Sequence, residues 1–282
     1  MLLRDAIDKF IQDKKVYCAP KTIENYAEHL IRFYQFAPDH LEELTSDVLR
    51  NYVIEMRDRK IRNVTINTYM RSVKVFCRWL YEEGYLEINV SKIKLPRPDP
   101  KIKQPLSEKE VEIILLEIPD IRYKIVFRLM LDAGLRESEV CNLRHSDIDL
   151  VNNIIRIRNS KFNRNRIIPL SPRIKELLRQ YNSGSEYIVL SRTKRQLSTS
   201  AIKSMFQKLK NRSGIQRIHA HLCRHTFATS YMMGGGNLEK LRVMLGHADY
   251  NATKIYLQLA AEYEIVKYPI YKLDPVFFEK GY

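Results

Sequence analysis

The first part of the chain carries apolar residues at a helical spacing of three and four positions. The clearest repeat spans 65–83, and Gly84 follows it as a stop signal. Its apolar positions are Ile66, Tyr69, Met70, Val73, Phe76, Cys77 and Leu80. Similar patterns predict helices over 2–15, 21–36 and 46–59. We expect residues 1–93 to form a small helical bundle.

A proline-rich segment follows this bundle at 94–105, where four of twelve residues are proline. Proline donates no backbone hydrogen bond and disfavours helix in the residue before it. The segment is therefore predicted to be an extended linker. Residues 106–282 then form a second domain.

The second domain shows helical patterns around one short alternating region. Ser107 and Glu110 have the spacing of a capping box at a helix start. Apolar and polar residues alternate at 154–158 and 166–170 about a polar centre, which predicts a β-hairpin. Helices are predicted over 122–133, 172–181, 200–210, 221–233, 238–245 and 251–261. The predicted fold class is mainly α with a small β-sheet.

Positive charge is concentrated in the second domain. The 282 residues carry a formal net charge of +15. Residues 1–95 hold 16 Lys and Arg against 14 Asp and Glu, whereas the remainder holds 32 against 19. Two long stretches, 150–175 and 187–238, contain no acidic residue. Two acid-free stretches in one domain favour a phosphate-binding surface, and so a nucleic-acid partner. A membrane surface is the weaker alternative, since a membrane-binding protein would more often show a basic amphipathic helix.

Several other classes of protein fit the sequence poorly. The apolar runs are too short to cross a bilayer, and charged residues near the N-terminus disfavour a signal peptide. The four cysteines are widely spaced, which is typical of a reducing cytoplasm, the expected location. No nucleotide-binding glycine loop is present. His219, His221 and His225 lack the companions of a zinc site, so neither a cofactor nor a metal ion is expected.

Four short features in the second domain suggest chemistry when they are taken together. Arg136 follows the helix-ending Gly134, and His221 shares a helical face with Arg224 at i, i+3. His247 follows Gly246, and Tyr256 lies nine residues further on. Each has an ordinary explanation by itself, since arginines pair with carboxylates and tyrosines are common in cores.

In this order, the features resemble the tyrosine site-specific recombinases, and most closely the Xer-type recombinases. The family pattern is an arginine in a GLR-x-SE context, a hairpin lysine, H-x-x-R-H, G-H and a tyrosine. Two positions depart from it: Cys223 replaces a usual leucine, and Lys161 lies between Ser160 and Phe162 rather than between glycines. The resemblance spans essentially the whole chain. It implies an N-terminal SAM-like core-binding domain that clamps DNA and a mixed α/β catalytic domain.

The resemblance also implies roles for individual residues in cutting and rejoining DNA through a 3′-phosphotyrosyl intermediate without metal or ATP. Tyr256 would be the nucleophile, and Arg136, Arg224 and His247 would contact the phosphate. His221 would be the base and Lys161 the acid for the leaving 5′-oxygen. Glu139 would support Arg136 or a histidine, although a structural ion pair is an equal alternative.

The expected partners are double-stranded DNA with paired half-sites and further copies of the chain. In related recombinases a C-terminal helix docks into a neighbouring protomer, so the apolar residues 262–282 are expected to link a tetramer on two duplexes. Five cations from the acid-free stretches are predicted to contact DNA: Arg156, Arg158, Arg164, Arg166 and Lys203. Xer-like resolution of chromosome dimers is the expected role. The alternatives are an integrase or transposon recombinase, or a DNA-binding protein that has lost catalysis.

Overall fold

The computed structural model describes residues 1–87, 90–97, 104–158, 165–247 and 250–267. Within 250–267, the side chains of residues 251, 252 and 263–267 are also outside the description. The chain divides into two compact units, Met1–Ile102 and Lys103–Tyr282. The described parts of the predicted linker, 94–97 and 104–105, contain no helix or strand.

Among the described residues, we find no helix that combines the length and the apolar character needed to cross a membrane.

The first unit is helical, as the apolar spacing predicts. Its α-helices are α1 (Leu3–Lys15), α2 (Pro20–Tyr34), α3 (Ser46–Asp58) and α4 (Asn63–Glu82). Short 3-10 helices occur at Leu41–Glu43 and Val90–Lys92. The predicted bounds of the four long helices are confirmed to within two residues at each end.

An aromatic cluster fills the centre of the first unit. The ring of Phe10 on α1 contacts Tyr26, Phe76 and Trp79 edge to face, with centroids 5.4, 5.4 and 5.5 Å away. Such pairs contribute stability beyond the area they bury. The periodic apolar residues of α4 point into this core, and Gly84 follows the helix with a φ of +72°, which glycine adopts without strain.

The second unit contains eight further α-helices in its described part. They are α5 (Glu108–Leu116), α6 (Ile121–Asp132), α7 (Glu137–Asn142), α8 (Pro172–Gln180), α9 (Thr199–Ser213), α10 (Ala220–Met233), α11 (Leu238–Leu245) and α12 (Asn251–Lys267). The capping box of Ser107 and Glu110 opens α5, which confirms that prediction. Helix α7 was not predicted, because six residues are too few to show a helical period.

A three-stranded antiparallel sheet accompanies these helices, in the order β1 (Ile148–Asp149), β2 (Ile154–Ile157) and β3 (Arg166–Pro169). Strands β2 and β3 pair with Ile155 opposite Ile168 and Ile157 opposite Arg166, so the predicted hairpin pairing is confirmed. The two-residue strand β1 is too short to give an alternating pattern, and the sequence did not predict it. Residues 159–164 of the hairpin lie outside the described residues.

Helix α10 lies at the centre of the second unit and packs against α6, α9, α11 and α12. Buried residues lie on most sides of this helix. They include four polar residues, Arg224, His225, Thr226 and Thr229. Cys223 is fully buried in this core, where a small apolar side chain fits in place of leucine. A residue on α10 is therefore held by packing on several sides, as a precise site requires.

Candidate active site

Arg224 of α10 joins the ends of two other helices. The side chain is buried, with 6% of the residue exposed. Its Nη1 donates to the carbonyl oxygen of Gly134, just after α6, at 2.6 Å. Its Nη2 donates to the carbonyl oxygen of Leu245 at the end of α11. These contacts fix the plane of the guanidinium.

Arg136 is the N-cap residue of α7 and converges on the same place. Its Nη2 donates to the carbonyl oxygen of Gly246 at 3.1 Å, and its Nη1 donates to Oε1 of Glu139 at 2.8 Å. The backbone N–H of Arg136 donates to Oε2 of Glu139, also at 2.8 Å. Glu139 therefore holds both the backbone and the side chain of Arg136.

The structure places Arg166, one of the predicted DNA contacts, in the interior of the second unit. Its side chain is 3% exposed, so it lies inside the unit rather than on a DNA-facing surface. Arg166 is the first residue of β3 and shares the buried face of the sheet with Ile157, its partner on β2. Its Nε donates to the carbonyl oxygen of Met244 at 2.7 Å, and its Nη2 donates to Oε2 of Glu139 at 2.7 Å.

The three guanidiniums meet at the C-terminal end of α11. Three successive carbonyl oxygens, of Met244, Leu245 and Gly246, accept hydrogen bonds from Arg166, Arg224 and Arg136 respectively. The last carbonyls of a helix have no partner within the helix and carry partial negative charge, so they are suited to cations. The end of α11 thus assembles arginines that are up to 88 residues apart in the sequence.

Gly246 is required at this helix end for two reasons. Its φ is +62°, in the left-handed region that glycine adopts without strain. A Cβ at this position would lie 3.2 Å from Nη1 of Arg166, which is tighter than ordinary contact. The close approach of Arg166 to the backbone therefore depends on glycine as well.

The cluster holds more positive than negative charge. Burial alone would raise the pKa of Glu139, but the hydrogen bond and charge of Arg166, with those of Arg136, lower it to about 2. Burial, followed by the charges of Arg136 and Arg166, lowers the pKa of Arg224 to about 9. One carboxylate therefore faces three guanidiniums, and an added phosphate anion would be stabilised there.

His247 adjoins the cluster and is held by a threonine. Its Nδ1 lies 3.0 Å from Oγ1 of Thr253 in the first turn of α12. Burial, followed by the charges of Arg224, Arg136 and Arg166, lowers the pKa of His247 to about 4. The imidazole is therefore neutral near pH 7 when no anion is bound.

Tyr256 lies on α12, which packs against α10. Only 9% of the residue is exposed, and its ring centroid is 5.3 Å from that of His225. Burial raises the pKa of the Tyr256 phenol, and the charge of Arg224 opposes that rise. His225 is itself buried, and its ring packs on this tyrosine.

A cavity of about 210 Å³ opens beside the cluster and is lined by Arg136, His221, Arg224 and Thr199. His221 lies in the first turn of α10 and is exposed, whereas Arg224 one turn later is buried. Because both side chains line the same cavity, His221 and Arg224 lie on one face of α10, as the spacing predicts.

Of the remaining predicted residues, the structure describes Arg156, Arg158 and Lys203. Lys161 and Arg164, with the tail from 268 onward, lie outside the described residues. Arg156 on β2 and Arg158 just after it are exposed and pair with Asp149 and Asp147 at 2.9 and 2.8 Å. Lys203 is exposed on α9, one turn after Thr199.

The sequence did not identify two residues that hold the site together, Thr253 and Arg166 in its buried position. Thr253 has no motif and becomes relevant only when the start of α12 places it against His247. Arg166 did have a signal, because its alternation with Ile168 on one strand face suggests burial. Its basic neighbours concealed that signal.

Family comparisons match both units. Residues 104–262 match the model of the phage integrase family, and residues 7–84 match the model of the phage integrase N-terminal SAM-like domain. The chain is 28% identical to the tyrosine recombinase XerA of Thermococcus onnurineus over 92% of this chain and 94% of that protein. It is 30% identical to the tyrosine recombinase XerA of Saccharolobus solfataricus over 86% of this chain and 83% of that protein.

Solved structures show the same fold. A Tn1549 transposon integrase in complex with a circular intermediate DNA has a TM-score of 0.80 at 19% identity, covering 95% of this chain and all of that one. A λ integrase tetramer bound to a Holliday junction has a TM-score of 0.73 at 18% identity, covering 88% of this chain and 78% of that one. The arrangement of helices and sheet is therefore shared with these proteins.

Proposed function

Because the chain belongs to the phage integrase family of tyrosine recombinases, we propose that it cuts and rejoins double-stranded DNA through a covalent bond to Tyr256. The observation that carries the proposal is the cluster of Arg136 and Arg224, which the end of α11 holds beside a cavity in the unit that also buries Tyr256.

The proposed reaction exchanges one phosphoester for another. The phenolic oxygen of Tyr256 attacks a backbone phosphorus, a bond from Tyr256 to phosphorus forms, and the bond from phosphorus to the 5′-oxygen breaks. The phenol proton leaves to a base, and the 5′-oxygen takes up a proton from an acid. Because the phosphotyrosyl bond retains the energy of the phosphodiester, rejoining needs no ATP.

The arginines supply the electrostatic part of this mechanism. Negative charge grows on the phosphate oxygens in the transition state, and preorganised donors stabilise it without reorganising at the moment of reaction. Arg136 and Arg224 are held in place by carbonyl oxygens before DNA binds. This arrangement supports strand transfer without a metal ion, since the protein's own cations face the phosphate.

The two histidines are proposed to have different roles, His221 as a base and His247 as a hydrogen-bond donor to the phosphate. The raised pKa of Tyr256 means that the phenol needs a base near neutral pH, and His221 at the cavity is the proposed base. If the hydroxyl of Thr253 donates to Nδ1 of His247, the neutral ring keeps its proton on Nε2, the tautomer that can donate to a phosphate oxygen. Lys161 is proposed to protonate the leaving 5′-oxygen.

The first unit is proposed to clamp the DNA, and α4 offers a basic face for this. Arg71, Lys74 and Arg78 recur at three and four positions and line one groove. None of the three forms an ion pair with a carboxylate in the part of the chain that the structure describes. Arg156, Arg158, Arg164 and Lys203 are proposed as further DNA contacts of the second unit.

The assembly and the biological role are proposed from the relatives. Solved relatives include a tetramer on a Holliday junction, which supports a tetramer of this chain on paired half-sites, linked by residues 262–282. The curated relatives named XerA support a Xer-like role in the cytoplasm, proposed here as resolution of chromosome dimers. Recombination between two selected half-site pairs in a plasmid would test this role.

A suicide substrate that traps the covalent intermediate tests the reaction itself. We expect the wild-type protein to form an adduct in excess EDTA, and Tyr256→Phe to form none while its DNA affinity stays within about twofold, because one hydroxyl adds little to a large basic interface. Tyr250→Phe is the matched control, since Tyr250 is an exposed tyrosine just before α12. An adduct with Tyr256→Phe would assign the nucleophile to another tyrosine.

A further inference from the structure

We propose that Arg166 is a positioning residue for strand transfer, which sets the geometry of Arg136 and Arg224 without touching DNA. This inference rests on the proposed function of the site. Arg166 is outside the set of residues to which the family resemblance assigns a catalytic role. The structure also removes it from the predicted DNA surface, because its side chain is 3% exposed.

The guanidinium of Arg166 connects a carboxylate with a helix end. Its Nη2 bonds Oε2 of Glu139 at 2.7 Å, and its Nε bonds the carbonyl oxygen of Met244 at 2.7 Å. The two acceptors lie in different parts of the chain, and a planar fork of donors can serve both at once. Lysine presents a single ammonium group and lacks that fork.

The first connection leads to Arg136 through Glu139. Oε2 of Glu139 accepts from Arg166 and from the backbone N–H of Arg136, and Oε1 accepts from Nη1 of Arg136. Without Arg166, one oxygen of a largely buried carboxylate loses its charged donor. Glu139 would then keep only its two bonds to Arg136, and the pair would no longer be tied to β3.

The second connection leads to both arginines through α11. The carbonyl of Met244 is followed directly by those of Leu245 and Gly246, which hold Arg224 and Arg136. Displacement of the Met244 carbonyl would displace the next two as well. Arg166 also lies close to the backbone at Gly246, where a Cβ would lie 3.2 Å from its Nη1 and would push the guanidinium aside.

The burial of Arg166 excludes a direct role. Its Nη1 is buried against Gly246 and has no hydrogen-bond acceptor among the described residues. The effect of Arg166 on the reaction must therefore pass through Glu139 and α11.

A double-mutant cycle on the suicide substrate tests this coupling. We expect Arg166→Met to slow the first-order cleavage rate at saturating protein by about 100-fold, the loss typical of a small misplacement at a reacting centre. Affinity for a half-site should stay within about twofold of the wild-type value. Glu139→Gln should cost less rate when it is added to Arg166→Met than when it is made alone, because both changes break the bond between Arg166 and Glu139. Additive losses, or a loss of affinity as large as the loss of rate, would overturn the proposal.

Two further variants separate positioning from folding. Arg128→Met is the matched control, since Arg128 is a largely buried arginine whose described ion pair is with Asp132 on the same helix, α6, and not with the cluster. It should cleave like the wild-type protein. Arg166→Lys keeps the charge and should retain the fold by thermal melting, yet cleave nearly as slowly as Arg166→Met, because one ammonium cannot replace the fork. Full activity of Arg166→Lys would show that charge alone suffices, and the proposal would be wrong.

A measurement without DNA distinguishes this inference from the proposed function. The side-chain N–H signal of Arg136 in a ¹⁵N–¹H spectrum of the full chain should shift or broaden in Arg166→Met and stay unchanged in Arg128→Met. An unchanged Arg136 signal in Arg166→Met would refute the inference even if the wild-type protein cleaves DNA. A shifted signal in a protein that forms no adduct would refute the function and leave the positioning of Arg136 standing.

Discussion

The surface of the first unit and the interior of the second unit hold their arginines in opposite ways. On the first unit, Arg32, Arg50 and Arg59 form ion pairs with Glu28, Asp47 and Glu55 within one helical turn, and all three arginines are half or more exposed. In the second unit, Arg166 and Arg224 are buried and bond carbonyl oxygens at helix ends. Exposed pairs of the first kind contribute about 0–1 kcal/mol each.

The difference shows which parts of the molecule can change independently. In the first unit an aromatic core supplies stability, and the paired arginines Arg32, Arg50 and Arg59 lie on the exposed surface, so these arginines can be altered without removing a core residue. In the second unit the charged groups proposed for the reaction belong to the core itself. Changing them should therefore alter reaction rate and stability together.

The largest effect is expected at Arg224. Arg224→Lys should lower the cleavage rate by on the order of 10²–10³-fold, as loss of a preorganised donor to a transition-state oxyanion does. It should also reduce the free energy of unfolding by about 1–3 kcal/mol, because a compact ammonium does not reproduce the two separated nitrogens that reach the carbonyls of Gly134 and Leu245. Single-turnover cleavage and urea denaturation measure the two quantities.

Arg59→Lys on the first unit is the matched control for Arg224→Lys. Since Arg59 forms an exposed pair with Glu55, both quantities should stay near their wild-type values. If the two lysine variants behaved alike, the contrast between buried and exposed arginines would have no functional meaning.

A smaller effect, on affinity alone, is expected from the basic face of α4. Replacing Arg71, Lys74 and Arg78 with glutamine should reduce the slope of log affinity against log salt by about one unit for each DNA phosphate that the variant no longer neutralises. Cleavage at saturating protein should be unaffected. The measurement is half-site binding at several salt concentrations.

The control for α4 is the triple glutamine variant of Arg32, Arg50 and Arg59, whose cations are paired with carboxylates. This variant should keep the wild-type salt slope. An equal reduction in both variants would mean that the first unit acts through its overall charge and has no DNA-facing side.

The smallest effect is expected at His247, in the dependence of stability on pH. The pKa of His247 is about 4 in the folded protein against 6.5 ordinarily, because of burial and the neighbouring arginines. Between these values the unfolded chain binds a proton that the folded protein does not, so stability falls as pH falls from 6.5 towards 4. In His247→Gln the melting temperature should therefore drop by about 2–4 °C less than in the wild type between pH 7 and pH 5. If the melting temperatures of the two proteins fell by the same amount between pH 7 and pH 5, His247 would not be held neutral by the cluster.

Much of the fold was evident in the spacing of apolar residues. Helices such as α4 and α11 are long enough to show a full period, and the hairpin of β2 and β3 shows alternation. Helix α7 and strand β1 escaped prediction because six and two residues do not complete a recognisable pattern. The proposed roles of Arg136, Arg224 and Tyr256 came from motif order, and the structure places Arg136 and Arg224 at one cavity.

The sequence by itself determined the longer helices, the hairpin, the family and the identity of the residues proposed for the reaction, because these depend on local spacing and motif order. Tertiary structure alone decided how their charges are held. A run of basic residues does not reveal which cation turns inward, since the partners that neutralise Arg166 lie 27 and 78 residues away at Glu139 and Met244. Only the folded chain brings the end of α11 to three arginines, and there the carbonyl oxygens of one helix terminus hold a cluster that mutual repulsion would otherwise separate.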